Sequence, residues 1–309
     1  MTVTSGSLSV ESATPFSLSV DLQATGAAKE RTELAAYRWT PTPASAGDKP
    51  PLVIVHGFAE HARRHAELAT VAAAAGHPVY ALDLPGHGES PGRRAVVSDY
   101  RAPLAAVRTV VELAAGEAGG GKPVLYGHSM GGAIALAFAL DHPEALSGLI
   151  LSSPYLIDAV DYPAFVHGLV ALIAKVMPGL PVTKVSPDQI SRDSAEVARY
   201  RNDPLVQTSG VPAISANTLT RMGAELRQRA SRLAVRTLVL HGEADGIAGV
   251  AGSRSLHSAA PKGLVELVTL PGAQHELFHE DSSSGVPQRA TEAVLDFLAT
   301  TSRVTAAVP

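Results

Sequence analysis

Three residues of this chain have the types and the order that nucleophilic catalysis by a serine requires. Ser129 comes first, Asp245 follows it and His275 comes last. A serine hydroxyl is a poor nucleophile near neutral pH, so an imidazole must take its proton and a carboxylate must orient that imidazole. We therefore predict that Ser129 is the nucleophile, His275 the general base and Asp245 the orienting acid.

The partners of Ser129 have alternatives within the sequence. Glu243 and Asp83 compete with Asp245, which is preferred because it follows the next-to-last predicted strand. His275 is one of 12 histidines, and a histidine on a surface loop is the alternative interpretation. The order Ser, Asp, His is the order expected when a doubly wound sheet carries such a set.

The residues around Ser129 predict a strand, a sharp turn and a helix. Ser129 occupies the centre of a G-x-S-x-G pattern, in the run Gly127-His128-Ser129-Met130-Gly131-Gly132. An apolar run, Pro123 to Tyr126, precedes it and a small-residue segment, Ala133 to Leu140, follows it. Glycine is needed on both sides because so tight a turn leaves no room for a β-carbon. Ser129 is then exposed at a helix N-terminus, where free amides favour negative charge.

Acyl transfer also needs two backbone amides aimed at the oxygen on which charge develops. The turn at Ser129 supplies one amide, that of Met130. The run His56-Gly57-Phe58 follows an early buried strand, so Phe58 is the predicted second donor. A simple strand-ending turn is the alternative interpretation of this run.

Two polar clusters accompany these residues. Glu60, His61, Arg64 and His65 follow Phe58; they are either a solvated helix start or part of the pocket wall, and the residues alone leave both open. The loop from Asp83 to Ser90 is interpreted as structural, because it lacks the spaced histidine and carboxylate set that a metal site needs. No metal and no cofactor is predicted.

The elements that must position these residues follow from apolar runs. Six runs alternate with predicted helices, which predicts an α/β fold with a mostly parallel sheet, helices on both faces and function at the carboxyl ends of the strands. The runs are Leu52–Val55, Pro78–Leu82, Pro123–Tyr126, Gly148–Leu151, Thr237–Leu240 and Val265–Leu270. Alternating patterns at Phe16–Leu22 and Glu33–Trp39 predict two antiparallel edge strands. Ser98 is the predicted N-cap of a helix that reaches about Ala115.

The alternation breaks between Tyr155 and about Arg232, which predicts an inserted helical cap. The predicted organisation is a core in two parts, residues 1–154 and 233–309, with the cap at 155–232. The cap contains Ala164–Val176, which is apolar on nearly all sides. Its apolar side chains are predicted to line an acyl tunnel and to lie on a lipid surface, and they are Phe165, Val166, Leu169, Val170, Leu172, Ile173, Val176 and Met177. Of these, Leu169 and Ile173 are the predicted substrate-binding residues. A helix that simply packs on the site is the alternative.

Composition excludes other classes of function. The chain has 309 residues, a net charge of −4 and no cysteine, so thiolate catalysis and nucleic-acid binding are not expected. Met1–Val10 has no apolar signal region and no segment is apolar enough to span a bilayer. The expected location is cytoplasmic, with transient membrane contact through the cap. The oligomeric state is left open.

From about Leu52 to Leu298 the chain resembles the monoacylglycerol lipase and lysophospholipase group of serine hydrolases, which have the α/β-hydrolase fold with an eight-stranded sheet. The motifs that carry the resemblance are His56-Gly57-x-x-Glu60-His61, Asp83-x-x-Gly86-His87-Gly88-x-Ser90-x-Gly92, Gly127-His128-Ser129-Met130-Gly131-Gly132, Asn202-Asp203-Pro204-Leu205, Gly242-x-x-Asp245 and Gly272-x-x-His275-Glu276-Leu277.

The resemblance implies hydrolysis of monoacylglycerols to glycerol and a free fatty acid, through an acyl-enzyme on Ser129. It also implies that Glu60 supports the oxyanion loop and that Arg64 lies near the alcohol end of the pocket. Tyr200 opens the one part of the cap that matches, so we expect it to contact substrate. Phe58 departs from the family, whose members often carry a smaller residue there, and we expect it to narrow the entrance or the acyl channel.

Four other functions stay open at this point. A lysophospholipase or a general carboxylesterase would use the same site. A proline-type aminopeptidase would need carboxylates in the cap near the site, where Asp158, Asp161 and Glu196 are scattered. A non-catalytic ligand-binding module is disfavoured because every catalytic position holds a competent residue.

Overall fold

The computed structural model describes residues 13–22, 30–42 and 48–305. Its centre is an eight-stranded sheet with strand order β1-β2-β4-β3-β5-β6-β9-β10. These strands are β1 (Thr14–Leu22), β2 (Glu30–Trp39), β3 (Leu52–Val55), β4 (Val79–Leu82), β5 (Val124–His128), β6 (Gly148–Ser152), β9 (Thr237–Gly242) and β10 (Val265–Leu270), while β7 (Pro181–Thr183) and β8 (Val211–Pro212) form a separate antiparallel pair.

The large sheet is mostly parallel, as the apolar runs predict. Strands β3, β4, β5, β6, β9 and β10 all pair in parallel. Among the described strands of this sheet, β2 alone runs the other way, because it is antiparallel to both β1 and β4. The prediction of two edge strands is wrong for β2, because β2 pairs with β1 on one side and with β4 on the other. Its buried Ala36 and Trp39 show the cover that an inner strand receives.

Helices cover both faces of the sheet, as predicted. The α-helices of the described residues are α1 (Ala66–Ala74), α2 (Arg101–Glu117), α3 (Met130–Asp141), α4 (Ala164–Val176), α5 (Ser194–Asn202), α6 (Ala213–Arg229), α7 (Val250–Ala259) and α8 (Val286–Thr305), of which α4 and α5 do not contribute to the two apolar clusters on the sheet. Along β3, Val53 and Val55 pack with α2 and α3, whereas Leu52 and Ile54 pack with α1 and α8. Because successive side chains of a strand point to opposite faces of the sheet, alternate residues of this buried run belong to two different apolar cores.

The predicted start of α2 is wrong. The helix begins at Arg101 rather than after Ser98. The side chain of Asp99 accepts a hydrogen bond from the Arg101 amide at 3.0 Å, while the Ser98 carbonyl accepts one from Thr218 on α6. The N-cap is Tyr100, whose side chain makes no capping hydrogen bond, and both Ser98 and Asp99 belong to the loop before it.

The segment between β6 and β9 holds α4, α5, α6 and the β7-β8 pair. Helix α6 packs Leu219, Met222 and Leu226 into the same apolar cluster as α3, whereas in α4 only Ala174 is fully buried. Among the described residues, no helix has both the length and the apolar character to cross a bilayer. The cap boundaries at 155 and 232 stay a prediction, and residues 1–12, 23–29, 43–47 and 306–309 of the predicted core lie outside the described residues.

The first turn of α3 presses against the end of β3 at Gly131. A β-carbon on Gly131 would lie 2.3 Å from the carbonyl oxygens of both Val55 and His56. Backbone atoms cannot yield as a flexible side chain does, so only glycine permits this approach.

We expect Gly131→Ala to destabilise the protein by about 1–3 kcal/mol, because it overpacks a rigid contact. Gly116→Ala is the matched control, since a β-carbon on Gly116 of α2 would meet nothing within 4 Å; it should be stabilising by roughly 0.5 kcal/mol. Denaturant unfolding measures both. Equal stabilities of the Gly131→Ala variant and the wild type would show that α3 does not depend on this contact.

Candidate active site

Ser129 occupies a strained turn between β5 and α3. Its backbone angles are φ 52° and ψ −117°, a region that residues with a β-carbon rarely adopt. The Ser129 amide donates to the Ser152 carbonyl of the neighbouring strand β6 at 3.0 Å. The predicted strand, turn and helix are therefore present, and they place Ser129 at the N-terminus of α3.

His275 and Asp245 meet at the same edge of the sheet. The His275 Nδ1 group donates to Asp245 Oδ2 at 2.7 Å. The other carboxylate oxygen, Oδ1, accepts from the amides of Ile247 at 2.8 Å and Ala248 at 2.9 Å. Both oxygens of Asp245 are thus held, which orients the imidazole of His275.

The electrostatics of this pair suit a base and its anionic partner. Burial acts to raise the pKa of Asp245, but His275 and His241 outweigh it, so the pKa lies well below its usual value. Burial acts to lower the pKa of His275, but the charge and hydrogen bond of Asp245 raise it above its usual value. An ionised Asp245 therefore favours the imidazolium that forms when His275 accepts a proton.

The structure adds His241, a residue that the sequence patterns did not single out. His241 Nε2 lies 3.3 Å from Asp245 Oδ2 and 2.9 Å from the Ala248 carbonyl. Its Nδ1 lies 2.7 Å from the hydroxyl of Ser253 on α7. The position of His241 near the end of β9, four residues before Asp245, is the sequence feature that could have indicated its contact with Asp245.

The two competing carboxylates are engaged elsewhere. Glu243 is exposed and pairs with Arg254. Asp83 is buried, and its carboxylate accepts hydrogen bonds from the hydroxyl of Tyr37 and from two backbone amides of the surrounding loops. Asp83 therefore holds a loop together, as the structural interpretation of this segment predicts.

The loop after β3 lies directly against the serine. A β-carbon on Gly57 would come 3.1 Å from Ser129 Cβ. Phe58 and Met130 both line the cavity that Ser129 faces. Met130 is the first residue of α3, and the amides of a first helical turn have no partner within the helix. The structure thus brings the two predicted oxyanion donors to one place, and their role stays a prediction.

A cavity of about 430 Å³ opens above Ser129 and His275. Its lining includes the polar side chains of Glu60, Tyr200 and Glu276. The segment between β6 and β9 supplies apolar side chains, those of Val160, Val166, Val170, Val182, Val211 and Leu219, together with polar ones, those of Asp158, His167, Lys184 and Gln189. The cavity therefore offers both polar and apolar contacts.

Arg64 does not line this cavity. Its side chain is only 7% exposed and lies between Glu60, at 3.2 Å, and Glu276, at 2.5 Å. The ring of Tyr200 covers its guanidinium group at 4.8 Å. The interpretation of this cluster as a solvated helix start is therefore wrong: Glu60 lines the cavity and Arg64 lies behind Tyr200.

Leu169 and Ile173 also lie away from the cavity. Leu169 is 53% exposed on the outer side of α4, and Ile173 is half-buried without lining the cavity. Val166 and Val170 take the inner positions instead. A helix that is apolar on nearly all sides offers no periodicity from which its inner face can be predicted.

Comparison with known proteins gives concordant matches. A family model described as "Serine aminopeptidase, S33" matches residues 48–282. The chain is 37% identical over 264 residues to the monoacylglycerol lipase of Mycolicibacterium smegmatis, covering 84% of this chain and 92% of that protein. It is 32% identical over 244 residues to the monoglyceride lipase of Homo sapiens, covering 78% and 79%. The solved structure of Paleococcus ferrophilus monoacylglycerol lipase is similar with a TM-score of 0.76 at 28% identity, covering 87% of this chain and 100% of that one.

Replacing Asp245 by Asn should lower kcat on a soluble ester by roughly a thousandfold to ten-thousandfold, because the amide cannot hold the proton-donating Nδ1 tautomer of His275. The fold should persist, since the Asn carbonyl can still accept from the amides of Ile247 and Ala248. Glu243→Gln, an exposed change two residues away, is the control and should keep wild-type kcat. Initial rates with a p-nitrophenyl ester measure both variants. A wild-type rate for Asp245→Asn would remove Asp245 from the site.

Proposed function

The chain belongs to the Hydrolase_4 family of serine hydrolases, and on that premise we propose that it cleaves monoacylglycerols to glycerol and a free fatty acid. It has the α/β-hydrolase fold and is a carboxylic ester hydrolase similar to monoacylglycerol lipases of bacteria and animals. The observation that carries the proposal is a buried Ser129, His275 and Asp245 set beneath a cavity whose lining holds both polar and apolar side chains.

In the first half of the proposed reaction, Ser129 Oγ attacks the ester carbonyl carbon while His275 takes the hydroxyl proton. The oxyanion that forms accepts hydrogen bonds from the Phe58 and Met130 amides, each donor being worth about 3 kcal/mol of barrier. The intermediate then collapses, the C–O bond to glycerol breaks, and His275 gives its proton to the departing oxygen. The fatty acyl group remains on Ser129.

In the second half, water replaces glycerol. His275 takes a proton from the water as its oxygen attacks the acyl carbon, and the same two amides hold the new oxyanion. When the bond to Ser129 Oγ breaks, His275 returns the proton to that oxygen. The fatty acid is released and the free enzyme is restored, with Asp245 ionised throughout.

The cavity suits a substrate with one polar and one apolar part. Glu60 and Tyr200 lie at the catalytic end, where the glycerol hydroxyls would be placed. Val166 and Val170 of α4 face the same cavity and would contact the acyl chain. We therefore assign Val166 and Val170, in place of Leu169 and Ile173, to the acyl wall, and treat residues 155–232 as the cap that carries it.

The pairing of Glu60 and Glu276 with Arg64 favours an ester over a peptide with a free amine. Glu60 and Glu276 both line the cavity, but both are paired with the buried Arg64. Asp158, also in the lining, accepts a hydrogen bond from the Tyr155 hydroxyl. An aminopeptidase needs an uncompensated carboxylate for the substrate ammonium group, and neither Glu60 nor Glu276 provides one.

The cap also presents an apolar face to solvent. Phe165, Leu169, Leu172 and Val176 recur along one side of α4 and are 75%, 53%, 57% and 67% exposed. Exposed apolar patches on this scale mark interaction surfaces. We infer that this face rests transiently on the membrane from which the enzyme takes its substrate.

The proposed function predicts a clear preference for 1-acylglycerols over lysophosphatidylcholine and over a proline β-naphthylamide. Ser129→Ala should abolish turnover, because it removes the hydroxyl that forms the acyl-enzyme. Val170→Phe should move the chain-length optimum to shorter acyl groups by filling the acyl wall. Leu169→Phe, one position along the same helix but on its outer side, is the matched control. Initial rates across a chain-length series measure all of these.

Three outcomes would contradict the proposal in different ways. Turnover of short esters alone would keep the catalytic set but exclude a monoacylglycerol lipase. Cleavage of the naphthylamide in preference to esters would favour an aminopeptidase. Inertness of Ser129 to a fluorophosphonate would favour a non-catalytic ligand-binding module.

The membrane contact predicts that Phe165→Ser together with Leu169→Ser lowers partitioning to phosphatidylcholine vesicles by about tenfold or more, because two large apolar side chains are removed from the contact. The rate on a short soluble ester should not change. Ala164→Ser, at an exposed neighbouring position, is the control and should partition as the wild type does. Unchanged vesicle partitioning of the double variant, measured by co-sedimentation, would exclude this face as the contact.

A further inference from the structure

A chain of buried charged groups lies behind the cavity. Arg64 Nε donates to Glu60 Oε2 at 3.2 Å, and an Arg64 terminal amino group donates to Glu276 Oε2 at 2.5 Å. All three side chains are nearly inaccessible, with exposed fractions of 7%, 4% and 6% for Arg64, Glu60 and Glu276. The two carboxylates come from positions far apart in the sequence, so a single guanidinium group joins two separate loops.

Each end of this chain is attached to a part of the active site. Glu60 Oε1 accepts a hydrogen bond from the Gly57 amide at 2.5 Å, next to the proposed oxyanion donor Phe58. Glu276 directly follows His275, and its own amide donates to the Ile190 carbonyl of the cap at 2.8 Å. The oxyanion loop and the loop of the general base are thus connected through Arg64.

Two histidines complete the network. His65 Nε2 lies 3.2 Å from Glu60 Oε1, and His279 Nδ1 lies 2.7 Å from Glu276 Oε2. Burial acts to raise the pKa of Glu276, but Arg64 and His279 lower it below its usual value. Burial likewise acts to lower the pKa of His279, and Glu276 outweighs this effect. The buried anions therefore have the partners that they need to remain charged.

We propose that Glu276 is a positioning residue of the hydrolytic site, which holds the His275 loop against the Gly57–Phe58 loop through Arg64. It acts on His275 and on the oxyanion loop rather than on the reacting atoms. The inference rests on the proposed roles of Ser129 and His275, but not on which acyl ester is the natural substrate.

The charge of Glu276 should also act directly on the base. Glu276 and Glu60 both add to the raised pKa of His275, after the larger effects of burial and Asp245. The other ionisable groups that face Glu276 are Arg64, His279, Tyr126, Tyr200 and His128. His128 stays neutral, since burial and then the charge of His275 lower its pKa to about 3.

The test uses Glu276→Gln and Arg64→Lys, assayed with a short soluble p-nitrophenyl ester across pH. Glu276→Gln should lower kcat by roughly tenfold to a hundredfold with little change in KM, because the base and the oxyanion donors lose their fixed relation. It should also move the acid limb of kcat/KM to lower pH. The sign follows because His275 must be neutral to act, and loss of a nearby negative charge lowers its pKa.

Arg64→Lys distinguishes the loss of the bridge between the two carboxylates from the loss of a charge near His275. A lysine keeps the positive charge but cannot reach both carboxylates as the planar guanidinium does, so kcat should fall while the acid limb stays near that of the wild type. Glu243→Gln removes an exposed carboxylate near Asp245 and is the control for loss of charge. Circular dichroism and thermal unfolding of each variant show how much of it is folded.

A folded Glu276→Gln variant with wild-type kcat and an unchanged acid limb would overturn the proposal. A fall in kcat that follows the folded fraction alone, with an unchanged acid limb, would mean a structural role only and would also overturn it. If Glu276→Gln does not fold, a folded Arg64→Lys variant with wild-type kcat would overturn it as well. Activity that survives in Ser129→Ala would instead refute the proposed function, so the two failures are distinguishable.

Discussion

The approach of the first turn of α3 to the end of β3 is the constraint on which the site depends. Because Gly131 has no side chain, the helix reaches the carbonyl oxygens of Val55 and His56. This contact sets Ser129 against Gly57 and so brings the helix N-terminus and the loop after β3 to one point. The strained backbone conformation of Ser129 persists because β5 on one side and α3 on the other fix the residues that flank it. A serine on a flexible loop would lose conformational entropy each time it adopted the reactive geometry. Here that ordering has already occurred during folding.

The buried anions of the site are stabilised in two different ways. Asp245 obtains two backbone amides and two histidines, so its position follows from the local turn after β9. Glu60 and Glu276 share one arginine instead, so their positions depend on contacts between loops that are distant in sequence. Three of the four partners of Asp245, the two amides and His241, lie in β9 or in the turn after it, so the first arrangement depends mainly on local structure. The second depends on Arg64, because Glu60 and Glu276 belong to loops that are distant in sequence. Asp245 is joined to that network through His275, which directly precedes Glu276.

The sequence predicts local structure better than it predicts charge pairing. The bounds of β3 follow from its apolar composition, because a strand covered on both faces has little else in its sequence. The bounds of β10 also match the prediction, although this strand lies at the edge of the sheet and exposes Glu266. The start of α2 differs from the prediction, because its N-cap is Tyr100 and makes no side-chain capping hydrogen bond, so no preferred capping residue marks this end in the sequence. No pattern in the sequence indicates that Arg64 lies between Glu60 and Glu276, because the partners of a buried charge are determined by the tertiary fold.

Helix α4 shows why the cap was the least predictable part and what its composition implies. Because the helix is apolar on both sides, its inner face was assigned to the wrong residues, and only the structure separates Val170 from Leu169. A soluble helix usually places polar residues where it meets water. This helix exposes Phe165, Leu172 and their neighbours to water, which is unfavourable in free energy. Lining the cavity with the inner face does not require apolar residues on the outer one. The proposed acyl wall accounts for apolar residues on the inner face, and the proposed membrane contact accounts for those on the outer face. Under that proposal one lipid surface covers the outer face while the substrate that it contains enters beneath the inner one.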